Sequence, residues 1–331
     1  MIGSILLRPL LQASKWMAAS RNTSRVIRHR HSNPRRSFMY VPACQDKMIR
    51  KAAAMDVDCI VMDCEDAVAL NRKEEARSLA AKALDEFDFG RSEFSVRVNS
   101  IGSGLAEADL DTVLHAKRLP NMINLPKVQK EEDVMWLSDQ LKKRLGQHQL
   151  SKKVSLTLTI ESPLGLVNMK DICKKGLELS ENAPFQLEGV IFGYDDFSAE
   201  VGVERTLEVS ESLVARQMMV IIAKAYGLQT IDVVFTEFKD LMGLRKQCVE
   251  AAKMGYTGKQ VIHPSQVSVV QECFSPSKER VQWATKLMAA FQEHQQSGKG
   301  AFTFQGKMVD MPVFLQAQSI VQLKEFIEGK T

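Results

Sequence analysis

The chain has 331 residues, 45% of them hydrophobic and 25% charged, with a formal net charge of +4. That length holds one large α/β domain or two average ones, and no apolar run is long enough to span a membrane. The basic excess is terminal: residues 1–37 hold 8 of the 44 Lys and Arg and no acid, so the body keeps 36 basic against 40 acidic residues and gives no nucleic-acid footprint.

Residues 1–37 mix Arg, Ser, Ala and Leu, and Arg8 with Pro9 interrupts their only apolar run. This is the composition of a mitochondrial transit peptide rather than a secretory signal, and it predicts a matrix location. The six cysteines, Cys44, Cys59, Cys64, Cys173, Cys248 and Cys273, form no CxxC pair and lie mostly in apolar runs. They read as reduced, buried thiols rather than zinc ligands.

Behind the leader, short apolar runs alternate with longer amphipathic ones. Runs at 38–42, 58–63, 94–99, 122–128, 155–160, 189–193, 231–235 and 259–263 predict eight strands. Between them Val134, Leu137, Leu141 and Leu145 fall on one helical stripe. Leu213, Val214, Met218, Ile221, Ile222 and Ala225 fall on another, with Ser210 as its N-cap and Gly227 behind it. Each stripe is expected to cover one face of the sheet. Eight strands alternating with helices predict a (β/α)8 TIM barrel over 38–296, with its active site at the C-terminal strand ends. An open doubly wound sheet is the rival, but no GxGxxG follows an early strand. Residues 283–296 read as the last long helix, 297–300 (SGKG) as a flexible break, and 297–331 as an extension that closes over the site. Within that extension Asp310 sits among Met308, Val309, Met311 and Pro312, where an acid needs either a partner or a task.

Polar residues collect at the strand ends. In chain order they are Tyr40, with Lys47 and Lys51 in the following helix; Glu65 and Asp66; Arg97 and Asn99; Lys127; Glu161; Asp195 and Asp196; and His263. The runs 154–162 and 187–198 each end in a carboxylate. Two neighbouring parallel strands arranged in this way place oxygen ligands on one hard cation such as Mg²⁺. Each residue also has a plainer reading. Strand-end acids serve solubility or cap helices, Arg97 and Lys127 suit interior ion pairs, and exposed lysines usually line a wet helix face. His263 precedes Pro264 and Ser265, so its ring is expected to shape a turn, leaving the backbone at Ile262 and His263 as a candidate ligand contact.

The ordered motifs VMDCEDAV (61–68), SVRVNS (95–100), LPKV (125–128), TIES (159–162), GYDDF (193–197) and GKQVIHPSQ (258–266) together resemble the citrate lyase β-subunit and malyl-CoA lyase superfamily. The resemblance runs from residue 38 to the C-terminus, and the tail GKGAFTFQGKMVDMP (298–312) with the leader narrows it to mitochondrial members. It implies Mg²⁺ on Glu161 and Asp196, with Glu65, Asp66 and Asp195 supporting those ligands, and Arg97 facing the reacting acyl group. Tyr40, Lys47, Lys51, Ile262 and His263 are implied to contact substrate or CoA. Asp310 is implied as the acid/base, carried over the active site of a neighbouring subunit in a homotrimer. The implied reaction is cleavage of (3S)-citramalyl-CoA to pyruvate and acetyl-CoA. Malate or β-methylmalate synthase activity, or malyl-CoA thioesterase activity, is the alternative at the same site, and a non-catalytic scaffold that kept the barrel is a further one. Asp195 departs from the many relatives that carry Glu before the metal aspartate.

Overall fold

A computed structural model describes residues 33–146, 152–296 and 302–329. Its strands β1 (Ser37–Pro42), β2 (Cys59–Asp63), β3 (Glu93–Arg97), β4 (Met122–Leu125), β5 (Val154–Ile160), β6 (Phe185–Phe192), β7 (Gln229–Asp232) and β8 (Gly258–Val261) pair in parallel with their neighbours, and β8 returns to β1. This is the closed eight-stranded barrel that the alternation predicts. β6 starts four residues before its predicted boundary, because the partly exposed Gln186 and Glu188 interrupt the apolar signal. The helices are α1 (Asp46–Ala53), α2 (Lys73–Glu86), α3 (Ala106–Leu114), α4 (Glu131–Leu145), α5 (Pro163–Asn182), α6 (Tyr194–Val201), α7 (Leu213–Ala225), α8 (Leu241–Met254), α9 (Val267–Cys273), α10 (Lys278–Gln296) and α11 (Met311–Ile327).

α4 buries Val134, Leu137, Leu141 and Leu145 as its stripe predicts. α7 reverses the expectation. It buries Ala215, Arg216, Met219, Val220 and Ala223 and leaves Leu213, Val214, Met218 and Ile221 outside. A helix that is apolar on both faces gives no sign from periodicity of which face turns inward. The barrel takes the face with small alanines, and the one charge on it is neutralised: Arg216 donates to both oxygens of Asp232 at 3.0 and 2.9 Å. Ser212 rather than Ser210 occupies the N-cap position, without a capping side-chain bond.

The first described residues move the leader boundary. Arg35 is fully buried and donates to Glu93 at 2.6 and 3.2 Å and to Glu188 at 2.6 Å. Arg36 donates to both oxygens of Asp58 at 2.7 Å. A Cβ on Gly258 would stand 1.9 Å from the carbonyl oxygen of Arg35, so β8 starts directly against this segment. Residues 33–37, expected within the leader, therefore pack as part of the barrel floor. Arginine in a leader and arginine buried between two glutamates look alike in composition. Residues 1–32 lie outside the described residues.

α10, read from sequence as the barrel's last helix, gives Ala284, Leu287 and Phe291 to a separate apolar cluster with Phe302, Val309 and Ala317. The antiparallel pair β9 (Phe302–Phe304) and β10 (Lys307–Val309), together with α11, completes that unit. The predicted break at 297–300 lies outside the described residues. Five of the cysteines are buried and Cys273 is partly so. No described helix is long and apolar enough to cross a membrane.

Candidate active site

β5 delivers Glu161 one residue past its end, and its neighbour β6 turns at Gly193 into α6, whose first turn carries Asp195 and Asp196. The turn packs tightly on the acid: a Cβ on Gly193 would lie 2.4 Å from the Cβ of Glu161. Past β2 the chain adds Asp66. One carboxylate oxygen from each of Asp66, Glu161 and Asp196 lies within 4.8 Å of the others. Three convergent oxygen donors fit a hard divalent cation such as Mg²⁺. A cleft of about 310 Å³, lined by Lys127, Gln129, Glu161, Ser162 and Asp196 among others, opens beside them.

Two cations face this acid cluster. Lys127, just past β4, donates its backbone N–H to Glu161 Oε1 at 2.6 Å. Its Nζ lies 3.0 Å from Asp196 Oδ2, 3.5 Å from Glu65 Oε1 and 3.6 Å from Asp66 Oδ1. Arg97, the last residue of β3, is clamped by Asp63 through Nε and Nη2 at 2.7 and 2.6 Å, and its guanidinium carbon stands 4.7 Å over the Tyr40 ring. Burial opposes ionisation of Asp63, but Arg97 and the amides of Glu65 and Ala67 hold it below its ordinary range. The same partner keeps Arg97 charged despite its burial.

The site acids are pulled apart. Burial, reinforced by the charge of Glu65, pushes Glu161 up to about 8 against the opposing Lys127 amide. Burial likewise lifts Glu65 to about 7, although Arg97 and Lys127 oppose it. Asp196 goes the other way: desolvation resists, but hydrogen bonds from Lys127 and Glu161 hold it low. Glu65 lies 3.1 Å from Arg97 Nη1, yet neither of its buried oxygens has an aligned hydrogen bond. The proximity is a charge contact and leaves both oxygens open as acceptors. The Tyr40 hydroxyl is buried and likewise without a hydrogen-bond partner.

The structure thus gathers Tyr40, Glu65, Asp66, Arg97, Glu161 and Asp196 at the barrel mouth. Lys47 and Lys51 stand on the exposed face of α1, with no ion pair or hydrogen bond among the described residues. Asp195 turns from the triad to Arg205, which also donates to the Val234 carbonyl at 2.8 Å. The amides of Ile262 and His263 both donate to Gln266 Oε1, at 3.0 and 3.2 Å, so a ligand contact at this stretch of backbone falls to atoms other than these N–H groups. The His263 ring accepts from the Ser265 amide at 3.2 Å and stacks on Phe238, as its turn-shaping role predicts. Asp310 is exposed at the N-cap of α11 and accepts from the Val313 amide at 3.2 Å. Its neighbours in sequence are apolar, but within one chain they do not bury it, because Met308 itself is 75% exposed. Sequence reasoning passed over Asp63, although the strand register sets it opposite Arg97, and it left Lys127 as an ordinary rim residue.

Residues 36–264 match the HpcH/HpaI aldolase/citrate lyase family. The chain is 47% identical over 322 residues to the mitochondrial citramalyl-CoA lyase of Rattus norvegicus, covering 97% of this chain and 95% of that protein. It is 48% identical over 302 residues to the Homo sapiens protein of the same name, covering 91% and 89%. Among solved structures it resembles protein CitE from Mycobacterium tuberculosis in complex with magnesium, acetoacetate and coenzyme A. That likeness has a TM-score of 0.68 at 26% identity and covers 88% of this chain and 98% of that one.

Proposed function

The chain belongs to the HpcH/HpaI aldolase/citrate lyase family, and from that premise we propose that it is a Mg²⁺-dependent carbon–carbon lyase that splits (3S)-citramalyl-CoA into pyruvate and acetyl-CoA. The observation that carries this reading is the carboxylate triad set beside a clamped, permanently charged Arg97. Glu161 and Asp196, joined by Asp66, hold the ion, which when bound supplies Lewis-acid polarisation of the substrate's carboxylate and tertiary hydroxyl. As the hydroxyl gives its proton to solvent water and becomes the carbonyl of pyruvate, the electron pair of the broken carbon–carbon bond passes to the acetyl-CoA fragment as its enolate. Arg97 stabilises the thioester oxyanion of that enolate, because Asp63 fixes its fork and leaves Nη1 facing the cleft acids. Glu65 and Asp195 hold the surrounding cations, and Tyr40, Lys47, Lys51, Ile262 and His263 contact the acyl-CoA.

Asp310 then delivers the proton to the enolate carbon. It does so from a neighbouring copy in a homotrimer, where covering its exposed carboxyl supplies the apolar surroundings that its own chain lacks. Exposed apolar side chains support such an assembly: Val214 and Ile221 on α7 are 70% and 69% exposed. Residues ahead of Asn33 act as a mitochondrial transit peptide and send the protein to the matrix. The mitochondrial names of the relatives support a mitochondrial location.

A purified-protein assay with (3S)-citramalyl-CoA, with Mg²⁺ and with a chelator, tests the reading. Metal-dependent release of pyruvate with intact acetyl-CoA is the expected result. Free CoA with a free hydroxy acid would instead show synthase or thioesterase chemistry, and absence of both turnover and acyl-CoA binding would leave only a scaffold. Asp310→Asn is expected to slow turnover about 10²–10⁴-fold with little loss of acyl-CoA binding. Mixing that variant with Arg97→Ala should restore activity through hybrid oligomers if two copies build one site.

A further inference from the structure

Lys127 touches every member of the acid triad. Its amide holds Glu161 at 2.6 Å, and its ammonium lies 3.0 Å from Asp196 and 3.6 Å from Asp66. The residue reaches all three from a backbone φ of +54°, the left-handed region that side chains bearing a Cβ seldom adopt. The next acid, Glu65, is 3.5 Å from the same ammonium, and it is the buried carboxylate whose oxygens have no aligned hydrogen bond. An ammonium and a divalent ion on the same carboxylates repel one another across a few ångströms. The two cations therefore cannot both take full advantage of Asp66 and Asp196.

We propose that Lys127 is a tethered counter-ion that competes with the divalent cation for Asp66 and Asp196, and that metal entry transfers its ammonium to Glu65. The proposal rests on the reading of the triad as the metal site. It explains why a buried acid with two open acceptor oxygens stands beside a lysine already in contact with other acids. Lys127 thus sets the affinity for the free ion, while Glu65 keeps the displaced charge from being stranded in the cleft.

Binding of Mn²⁺ to the full chain, followed by electron paramagnetic resonance of the free ion without substrate and at fixed pH, tests both halves. Lys127→Met is expected to bind Mn²⁺ about tenfold tighter or more, since it removes a competing unit charge from the ligands. Lys127→Gln should do the same and serves if the first variant fails to fold, and Lys127→Arg should stay near wild type. In a double-mutant cycle, Glu65→Gln should weaken binding more in the wild-type background than in Lys127→Met. Unchanged or weaker binding in the neutral Lys127 variants would overturn the competition, and an equal effect of Glu65→Gln in both backgrounds would overturn the transfer. A folded wild-type chain that binds no Mn²⁺ would remove the metal reading itself, and the proposal with it.

Discussion

At the N-terminal end of the barrel, Arg35 gives Glu93 two hydrogen bonds and Glu188 a third, and Arg36 gives Asp58 bonds from its guanidinium and its amide. At the C-terminal end, Glu65, Asp66, Glu161 and Asp196 share the ammonium and amide of Lys127 and one nitrogen of an Arg97 already clamped by Asp63. Both ends bury acids with arginine, and at the mouth burial pushes the Glu65 and Glu161 carboxyls up to about 7 and about 8. Acids with a full set of partners hold strands together, whereas acids short of a cation mark where a ligand belongs. The two ends of a TIM barrel divide stability from chemistry in this way.

The sharpest way to break that contrast is at the triad. Glu161→Gln and Asp196→Asn are expected to lower Mg²⁺-dependent turnover by about 10³-fold or more, since each removes a charged ligand from a hard cation, while circular dichroism shows a folded barrel. Full activity in both would remove the triad from the chemistry. Arg35→Ala should do the reverse. It leaves the buried Glu93 and the partly buried Glu188 without their cation, so urea denaturation should show a loss of about 3–5 kcal/mol, with turnover per folded molecule unchanged. A fall in turnover at unchanged stability would erase the division between the ends.

A smaller effect is expected from pH. Glu161 and Glu65 titrate near 8 and 7 against a usual 4.5, so the folded chain holds more protons than the unfolded chain across that window. Their contribution to stability is complete below about 4.5 and is lost as pH rises through 7 and 8. Without divalent ions the melting temperature should therefore fall between pH 5 and 8.5. Saturating Mg²⁺ should flatten the slope, as should Glu161→Gln, while Arg35→Ala should leave it in place. A melting temperature independent of pH would contradict the raised carboxyls. The smallest effect is expected from removing residues 1–32, which should change melting and turnover by less than about 0.5 kcal/mol. Removal through Ser37 should instead reproduce the loss seen with Arg35→Ala.

The barrel was legible because eight apolar runs with helical stripes between them leave few alternatives, and Glu161 and Asp196 because each ends such a run. Periodicity tells which residues share a face but not which face turns inward, so α7 came out reversed. Charge composition pools residues regardless of partner, so Arg35 and Arg36 were counted with the leader. Asp63 acts through Arg97, 34 residues away in sequence, and Lys127 through Glu161, also 34 away, and through the more distant Glu65, Asp66 and Asp196. Strand register and a left-handed backbone bring those neighbours together, and neither leaves a local pattern in the chain. Apolar sequence neighbours do not bury Asp310, because burial depends on what packs against a segment, and none of the described residues covers its carboxyl.

The contact at Gly193 bears on how relatives of this chain are to be diagnosed. The atom that excludes a side chain there is the Cβ of Glu161, at 2.4 Å, and every residue other than glycine carries that atom. A descendant that exchanged the acid for alanine or glutamine would still be compelled to keep the glycine, long after the activity had gone. The glycine is a fossil of the backbone path rather than a witness to chemistry. A signature that scores GYDDF as one block would count a chain lacking the acid at 161 as intact, so on the proposed metal reading the diagnostic weight belongs on the acids at 66, 161 and 196.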